Sequence, residues 1–153
     1  MKKLLKAAVI VLALIFLGAQ FYRPDFQNPP VDPAQELRAP AHVQPILDRS
    51  CMDCHSNRTR YPWYSRITPV SWWLKDHIDH GRGELNFSEF GRYEPKEADH
   101  LMEEVCEMVE KGEMPLREYV WGHPGAKLSA TDKQTLCAWA KEERARIRGA
   151  AGV

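Results

Sequence analysis

The chain has 153 residues, which is the length of one folded domain with a short extension. Acidic and basic residues are balanced at 21 each, and the sequence contains no basic stripe of the kind that nucleic-acid-binding proteins carry. The composition therefore argues against nucleic acid as a partner. Eleven prolines indicate several short helices with breaks between them, instead of a few long helices.

The N-terminal segment, residues 1–22, has the pattern of a targeting sequence. Three lysines among its first six residues precede an unbroken apolar run over residues 7–19. As a helix, residues 4–22 would reach roughly 28 Å, which is about one hydrocarbon core. Leu17 occupies the −3 place before Ala19, so no small-x-small cleavage site is present there. We therefore expect an uncleaved signal anchor instead of a removed signal peptide.

This segment also predicts where the rest of the chain is located. The positive-inside rule keeps the lysines in the cytoplasm and exports the residues after the apolar run. In a bacterium the domain would then lie in the periplasm, held to the inner membrane by a single pass of the anchor. The periplasm is oxidising, so free thiols tend to form disulfides there. This tendency applies to all four cysteines of the chain, which are Cys51, Cys54, Cys106 and Cys137.

After the anchor, the sequence divides into a linker, one domain and a tail. Residues 23–40 hold five prolines and show no apolar periodicity, which predicts a partly extended linker. We expect the folded domain over residues 41–148 and a flexible tail over residues 149–153. Within the domain the apolar residues recur with helical spacing, and no segment alternates like a strand. The pattern predicts a small all-α domain of about four to five short helices.

Four of these helices can be placed from apolar spacing and from residues that start and stop helices. Thr68 and Pro69 have the order of a cap and a first helical residue, and Gly81 is placed to end the same helix. Ser129 and Asp132 form a weak capping box at the start of the last helix. The predicted helices cover residues 43–54, 68–81, 95–111 and 129 onward.

Residues 51–57 read CMDCHSN and contain a Cys-x-x-Cys-His motif. At helical spacing Cys51, Cys54 and His55 share one face. Two thiols on that face can add across the two vinyl groups of haem, and the imidazole then lies beneath the iron. The spacing therefore favours c-type haem attachment, with Cys51 and Cys54 as thioether anchors and His55 as an axial ligand.

Other interpretations of these cysteines are weaker. A thioredoxin-like dithiol needs a βαβ setting, and no strand precedes the motif. A zinc site would need two more ligands, while Cys106 and Cys137 are far apart in sequence and lie within predicted helices. A disulfide between Cys51 and Cys54 would be short and strained. Cys106 and Cys137 either form a disulfide with each other or stay as two buried thiols, and the spacing does not decide between these states.

The sixth position of a haem iron has two main candidates. Met114 lies in KGEMPL, where a glycine before it allows a tight turn and a proline after it fixes the backbone direction. That setting suits a thioether ligand, although a loop methionine that packs on the core explains the spacing equally well. His77 competes with it, but a histidine on an apolar helix face is more often a core residue than a ligand. The other histidines are expected at the surface, namely His42, His80, His100 and His123.

The helix that carries His77 is rich in aromatic residues. Its predicted buried face comprises Val70, Trp73, Leu74, His77 and Ile78. The YPWY stretch (residues 61–64) and Trp72 are expected, like Trp73, in the core or against the wall of a porphyrin pocket.

Three stretches in order carry a resemblance: CMDCHSNRTRYPWYSRITPVSWWLKDHIDHGRGELNFSEF, then KGEMPL, then HPGAKLSATDKQTLCAW. Together they resemble the bacterial haem-binding domain family, which is defined by a CxxCH motif and a later GEMP motif. The resemblance covers most of residues 41–141 and implies a small cytochrome c-like domain built around a covalent haem. It also implies that Met114 is the second axial ligand of the iron, together with Cys51, Cys54 and His55.

We therefore expect a membrane-anchored periplasmic cytochrome with one covalently attached haem c, which passes single electrons between redox partner proteins. Histidine and methionine together fill both axial positions of the iron, and this ligation suits electron transfer more than catalysis. The alternative is a haem-based sensor or a peroxidase-like haem enzyme with a displaceable sixth ligand. A peroxidase would need a distal histidine or arginine, and His77 with Arg82 is the pair that the sequence offers.

Overall fold

The computed structural model describes residues 1–151. These residues form helices and connecting loops, and no strand occurs among them, so the predicted all-α class is confirmed. Three short 3-10 helices lie at Trp63–Arg66, Phe87–Arg92 and Pro124–Ala126. The α-helices are α1 (Lys2–Ala19), α2 (Gln44–Ser50), α3 (Val70–Glu84), α4 (Pro95–Lys111), α5 (Arg117–Gly122) and α6 (Ala130–Ala151).

Helices α4 and α6 pack side by side and form the centre of the core. Met102 of α4 and Leu136 of α6 are both completely buried in this core. Close by, a disulfide joins Cys106 to Cys137, whose Cα atoms lie 4.6 Å apart. Of the two states that the sequence left open for these cysteines, the structure has the disulfide.

Both ends of α4 and the start of α6 follow the sequence prediction. Pro95 lies in the first turn of α4, where its missing N–H costs no hydrogen bond. Gly112 ends the helix with φ at 74°, a left-handed conformation that glycine adopts without steric cost. Ahead of α6, the Ser129 N–H donates to Asp132 Oδ2 at 2.8 Å, and the Asp132 N–H donates to Ser129 Oγ at 3.1 Å. This reciprocal pair is the predicted capping box.

Helix α3 differs from its prediction in its bounds and in its buried face. Thr68 does not cap it, because its hydroxyl lies against the Ser71 hydroxyl at 3.1 Å and the cap residue is Pro69. The helix also continues past Gly81 to Glu84. Its buried residues are Ser71, Leu74, Ile78 and Gly81. Val70, Trp72 and Trp73 are each about 40% exposed, so the predicted face was wrong at Val70 and Trp73, and Trp72 was not buried either.

The segment predicted as a linker lies along the domain and contacts it at several points. The Asn28 amide donates to the Thr59 carbonyl at 3.0 Å, and the Leu37 N–H donates to the Phe87 carbonyl at 2.9 Å. Arg58 forms a two-pronged ion pair with Glu36. At the other end of the chain, α6 includes residues 149–151 of the predicted tail, whose last two residues lie outside the described residues.

Helix α1 covers most of the predicted anchor, and none of its residues is buried. Among the described residues, no helix combines the length and the apolarity needed to cross a membrane. The single-pass anchor over residues 1–22 stays a prediction, and Lys2, Lys3 and Lys6 lie within α1.

Candidate cofactor site

The CMDCH segment forms a turn directly after α2. The motif was predicted at the C-terminal end of a helix over residues 43–54, whereas α2 ends at Ser50 and the motif follows it. The Cys51 carbonyl accepts hydrogen bonds from the N–H groups of Cys54 at 3.1 Å and His55 at 2.9 Å. The second of these bonds is a helical i to i+4 bond, which keeps Cys51 and His55 on one side of the turn. Arg49 and Asp132 join α2 to the start of α6 through an ion pair of 2.7 Å.

A cavity of about 400 Å³ lies between this turn, α3, α4 and the loop that carries Met114. Its volume is within the range of roughly 300–1,000 Å³ that small-molecule and cofactor pockets have. The cavity brings together Cys51, His55 and Met114, which are three of the four predicted site residues. The other lining residues are mostly apolar: Ser50, His80, Gly81, Glu84, Leu85, Phe87, Leu101, Glu104, Val105, Met108 and Val109.

His55 is held through its ring nitrogen Nδ1. This atom lies 3.0 Å from the Leu85 carbonyl oxygen, so it carries the proton and donates to that oxygen. The other ring nitrogen, Nε2, is then the unprotonated one and has the lone pair that can bind a metal. Burial lowers the pKa of His55, and backbone hydrogen bonds oppose this shift only in part. A neutral, oriented imidazole is the form that ligates iron.

Cys51 and Cys54 are both free thiols in the structure. Burial raises the pKa of Cys51 to about 12 and that of Cys54 to about 11. The Cys54 thiol adds to the shift of Cys51, and the Asp53 carboxylate adds to that of Cys54. Reactive dithiols need a lowered pKa, so these values argue against a thioredoxin-like redox pair. Cys54 does not line the cavity, and its carbonyl oxygen and Cβ lie close to Gly81 of α3.

Met114 comes after α4 and is half-buried against the core. Its N–H and that of Glu113 both donate to the Met108 carbonyl, at 3.2 and 3.0 Å, so the chain turns back on the end of α4. This turn places Met114 at the cavity. Met108 lines the same cavity from α4 and is therefore a second thioether that could reach a bound metal. The sequence analysis did not single out Met108, although its spacing from Leu101 and Val105 is that of one helix face.

Three polar residues at the cavity were also not anticipated as site residues. His80 and Glu84 lie one turn apart on α3 with a separation of 3.9 Å between Nε2 and Oε1, and Glu104 comes from α4. His80 is highly exposed, as predicted, and it nevertheless lines the cavity. The signal that could have identified these residues is their spacing from Gly81 and Leu101, but only the tertiary fold places α3 and α4 on either side of one cavity.

The structure does not bring His77 and Arg82 to the cavity. The His77 ring lies against the Trp73 ring, with centroids 4.1 Å apart and planes tilted by 35°, and its Nδ1 lies 2.8 Å from the Trp73 carbonyl. The Arg82 guanidinium donates to the Ser56 carbonyl, to Asn28 and to the Thr59 hydroxyl, each at 2.8–2.9 Å. Both side chains therefore have structural partners, and the pair is not arranged as the distal groups of a peroxidase.

Helix α5 was missed by the sequence analysis and joins the two ligand-bearing segments. It starts three residues after Met114, and its Tyr119 donates a hydrogen bond to Asp53 of the CMDCH turn at 2.7 Å. Asp53 also pairs with Arg60. The Tyr119 ring stacks on His123 at 4.2 Å. REYVWG has too few residues to show a helical period, so its apolar pattern gave no signal.

The residues at the cavity suit a haem. Its walls are mainly apolar, and an imidazole nitrogen, thioether sulfurs and a free thiol open onto it. Imidazole and thioether are the axial ligands of c-type haems, and thiols in a Cys-x-x-Cys-His motif attach the haem covalently. A larger groove of about 810 Å³ between residues 33–40 and α6 contains neither histidine nor cysteine.

Comparison with known proteins identifies a family. The family described as a haem-binding domain matches residues 14–142 of the chain, which includes all four predicted site residues. No curated protein matches the chain. No solved structure matches it either.

Proposed function

Because the chain belongs to the haem-binding domain family, we propose that it is a c-type cytochrome that carries one covalently attached haem and transfers single electrons. Cys51 and Cys54 would hold the haem as thioethers, and His55 and Met114 would be its axial ligands. When bound, the haem supplies one-electron redox chemistry at its iron. The protein supplies the ligands, the apolar surroundings and the orientation.

One observation carries this proposal: Cys51, His55 and Met114 open onto the same apolar cavity although Met114 is distant from the motif in sequence. The Leu85 carbonyl fixes the tautomer of His55 and leaves Nε2 for the metal. Gly81 lines the cavity and lets α3 approach the backbone of Cys54 closely. These contacts hold the Cys-x-x-Cys-His turn in position without a ligand, so the turn would have to rearrange little when haem binds.

Electron transfer is favoured over catalysis by the residues that surround the cavity. A peroxidase needs a distal acid–base group beside an open position. His77 and Arg82 are engaged elsewhere, and Met108 and Met114 line the cavity and offer thioethers that would fill the iron position a peroxidase keeps open. His80, Glu84 and Glu104 also line the cavity and are the acid–base groups that a catalytic role would have to use. A sensor with a displaceable sixth ligand is the remaining alternative, because Met114 is on a loop.

We further propose that the domain is exported to the periplasm and stays attached to the inner membrane through its N-terminal segment. The basic and apolar pattern of residues 1–22 supports export. The disulfide between Cys106 and Cys137 supports an oxidising compartment, since a reducing compartment keeps such thiols reduced. Fractionation of cells, followed by detection of the full-length chain, tests both parts of this statement.

The experiment for the axial ligand compares Met114→Ala with Met108→Ala in protein produced with a c-type maturation system. Methionine bound to ferric haem gives a charge-transfer band at the red end of the spectrum. We expect Met114→Ala to abolish this band and Met108→Ala to keep it. If both variants keep the band, or if only Met108→Ala loses it, the assignment of Met114 is wrong. If the wild type has no such band and binds small ligands readily, the sensor alternative replaces electron transfer.

A further inference from the structure

Four of the five tryptophans of the chain are on the surface, which is unusual for such a large apolar side chain. Trp63 and Trp121 are 77% and 73% exposed, and Trp72 and Trp73 are 41% and 40% exposed. Trp139 is the exception, with 3% of its surface exposed in the core. None of the four exposed tryptophans lines the haem cavity, so the proposed electron transfer does not account for them.

Three of these tryptophans lie at one groove, and Trp72 is the neighbour of Trp73 in α3. Trp73 and Trp121 line a single open groove of about 610 Å³ together with Tyr64. The Trp63 ring packs edge-on against Tyr64 with a centroid distance of 5.9 Å. Among the described residues, Glu118 is the one charged residue that lines this groove. We call Trp63, Tyr64, Trp72, Trp73 and Trp121 the aromatic surface.

The end of α1 is fixed at the edge of this surface. The Gln20 side chain accepts from the Thr68 N–H at 3.1 Å and donates to the Thr68 carbonyl at 2.9 Å. Trp72 Nε1 donates to the Tyr22 carbonyl at 2.9 Å, and the rings of Tyr22 and Trp72 meet edge-on at 6.2 Å. An apolar helix therefore leaves the domain where the exposed tryptophans begin.

After its three lysines, helix α1 has apolar side chains on every side, and none of its residues is buried by the domain. Leu5, Leu12 and Leu14 are each more than 60% exposed. A helix that is apolar all round requires a protein core or lipid around it. Its three N-terminal lysines also suit anionic lipid headgroups. The aromatic surface and α1 thus present continuous apolar area to the same surroundings.

We propose that the aromatic surface docks on the interface of a lipid bilayer beside α1. Tryptophan and tyrosine prefer this interface, because their rings enter the apolar region while their polar N–H and O–H groups stay with water and headgroups. A protein partner could also cover exposed tryptophans, but the attachment of α1 at Gln20 and Tyr22 favours lipid. Docking would hold the domain in one orientation on the membrane, so that the same side always meets a redox partner. This inference deepens the proposed membrane attachment and does not depend on haem.

The test uses the haem-loaded full chain in vesicles of phosphatidylcholine and phosphatidylglycerol, with or without bromine on the acyl chains. Bromine quenches tryptophan fluorescence only on contact. Two single-tryptophan variants keep Trp72 or Trp121 and carry phenylalanine at the other four positions. A third variant keeps only the buried Trp139 and is the matched control. Each variant is compared with itself in the two kinds of vesicle, so quenching by haem cancels.

We expect brominated lipid to reduce the fluorescence of the Trp72 and Trp121 variants about twofold and to leave the Trp139 variant nearly unchanged. If Trp72 and Trp121 are quenched no more than Trp139 while the chain is bound to vesicles, the docking proposal is overturned. The aromatic surface would then be available to a protein partner. Haem content is measured in the same samples by absorbance, so a failure of haem binding is distinguished from a failure of docking.

Discussion

The Tyr119 phenol donates a hydrogen bond of 2.7 Å to Asp53 Oδ2, and this bond joins α5 to the middle of the Cys-x-x-Cys-His turn. Burial and the Asp53 carboxylate raise the pKa of Tyr119, which keeps the phenol protonated as a donor. Since α5 comes directly after the loop of Met114, this contact connects the two segments that carry the proposed axial ligands. The position of the methionine loop therefore depends on a residue between the two cysteines.

Removal of this bond in Tyr119→Phe is expected to lower the free energy of unfolding by about 1.5–3 kcal/mol, because the acceptor is charged. We also expect the methionine–iron band of the haem-loaded protein to weaken as the loop becomes less fixed. The control is Tyr61→Phe, whose hydroxyl bonds Gln27 and Asn28 at 3.0 Å and does not contact the motif. Equal changes of the band in both variants would show that Tyr119 has no particular role at the site.

Gly81 and Gly83 form a matched pair within α3. A Cβ at position 81 would lie 3.0 Å from the Cys54 carbonyl oxygen and 3.2 Å from its Cβ, while a Cβ at position 83 would meet nothing within 4 Å. Gly83→Ala should be neutral or stabilise the helix by up to about 1 kcal/mol. Gly81→Ala should be less stable than Gly83→Ala by about 1–3 kcal/mol, because α3 must move away from the motif.

Urea unfolding measures the stability difference, and the fraction of chain with covalent haem measures the effect on the site. We expect Gly81→Ala to reduce attachment and Gly83→Ala to keep the wild-type fraction. Wild-type attachment in a stable Gly81→Ala protein would mean that close contact between α3 and Cys54 is unnecessary.

The Cys106–Cys137 disulfide is predicted to stabilise the domain without taking part in haem attachment. It closes a loop of 31 residues between α4 and α6. Replacement of both cysteines by serine should lower the free energy of unfolding by about 2–4 kcal/mol. Haem attachment should persist at temperatures where the variant is folded, which intact mass and calorimetry together measure. Unchanged stability would show that the bond is not formed in the native protein.

The haem-free chain should lose stability as the pH falls, because His55 is buried in its neutral form. Its pKa is lowered in the folded state, so between that value and about 6.5 the unfolded chain binds more protons than the folded chain. The contribution is therefore fully present above about pH 6.5 and decreases as the pH falls towards the folded pKa.

The measurement is the free energy of unfolding of wild type and His55→Gln between about pH 8 and pH 5. We expect His55→Gln to have the shallower slope. His42→Gln is the control, because His42 is exposed and does not line the cavity, and this variant should keep the wild-type slope. Parallel slopes for wild type and His55→Gln would contradict the assigned burial.

The sequence predicted best those parts of the fold that have their own local signals. Pro95 and Gly112 mark the two ends of α4, and the Ser129–Asp132 box marks the start of α6. The motif and KGEMPL also identified the residues that the cavity brings together, because their chemistry is specific to a few kinds of site.

The errors concern features that depend on tertiary packing. Trp73 and Val70 were expected to be buried because they are apolar, yet the buried face of α3 includes Ser71 and Gly81. Gly81 is buried because it fits closely against Cys54 of the CMDCH turn. Met108, His80 and Glu104 line the cavity only because α3 and α4 lie on either side of it. No local pattern distinguishes such residues from the rest of an amphipathic helix.

The central claim is that one haem is bound covalently through Cys51 and Cys54, and intact mass spectrometry of the denatured protein tests it most directly. Protein made with a c-type maturation system should have the mass of the chain plus one haem. The Cys51→Ala/Cys54→Ala variant should have the mass of the chain alone, and the Cys106→Ser/Cys137→Ser variant should keep the haem. A wild-type mass equal to that of the bare chain, with haem extracted by acidified organic solvent or with zinc present instead, would contradict the account.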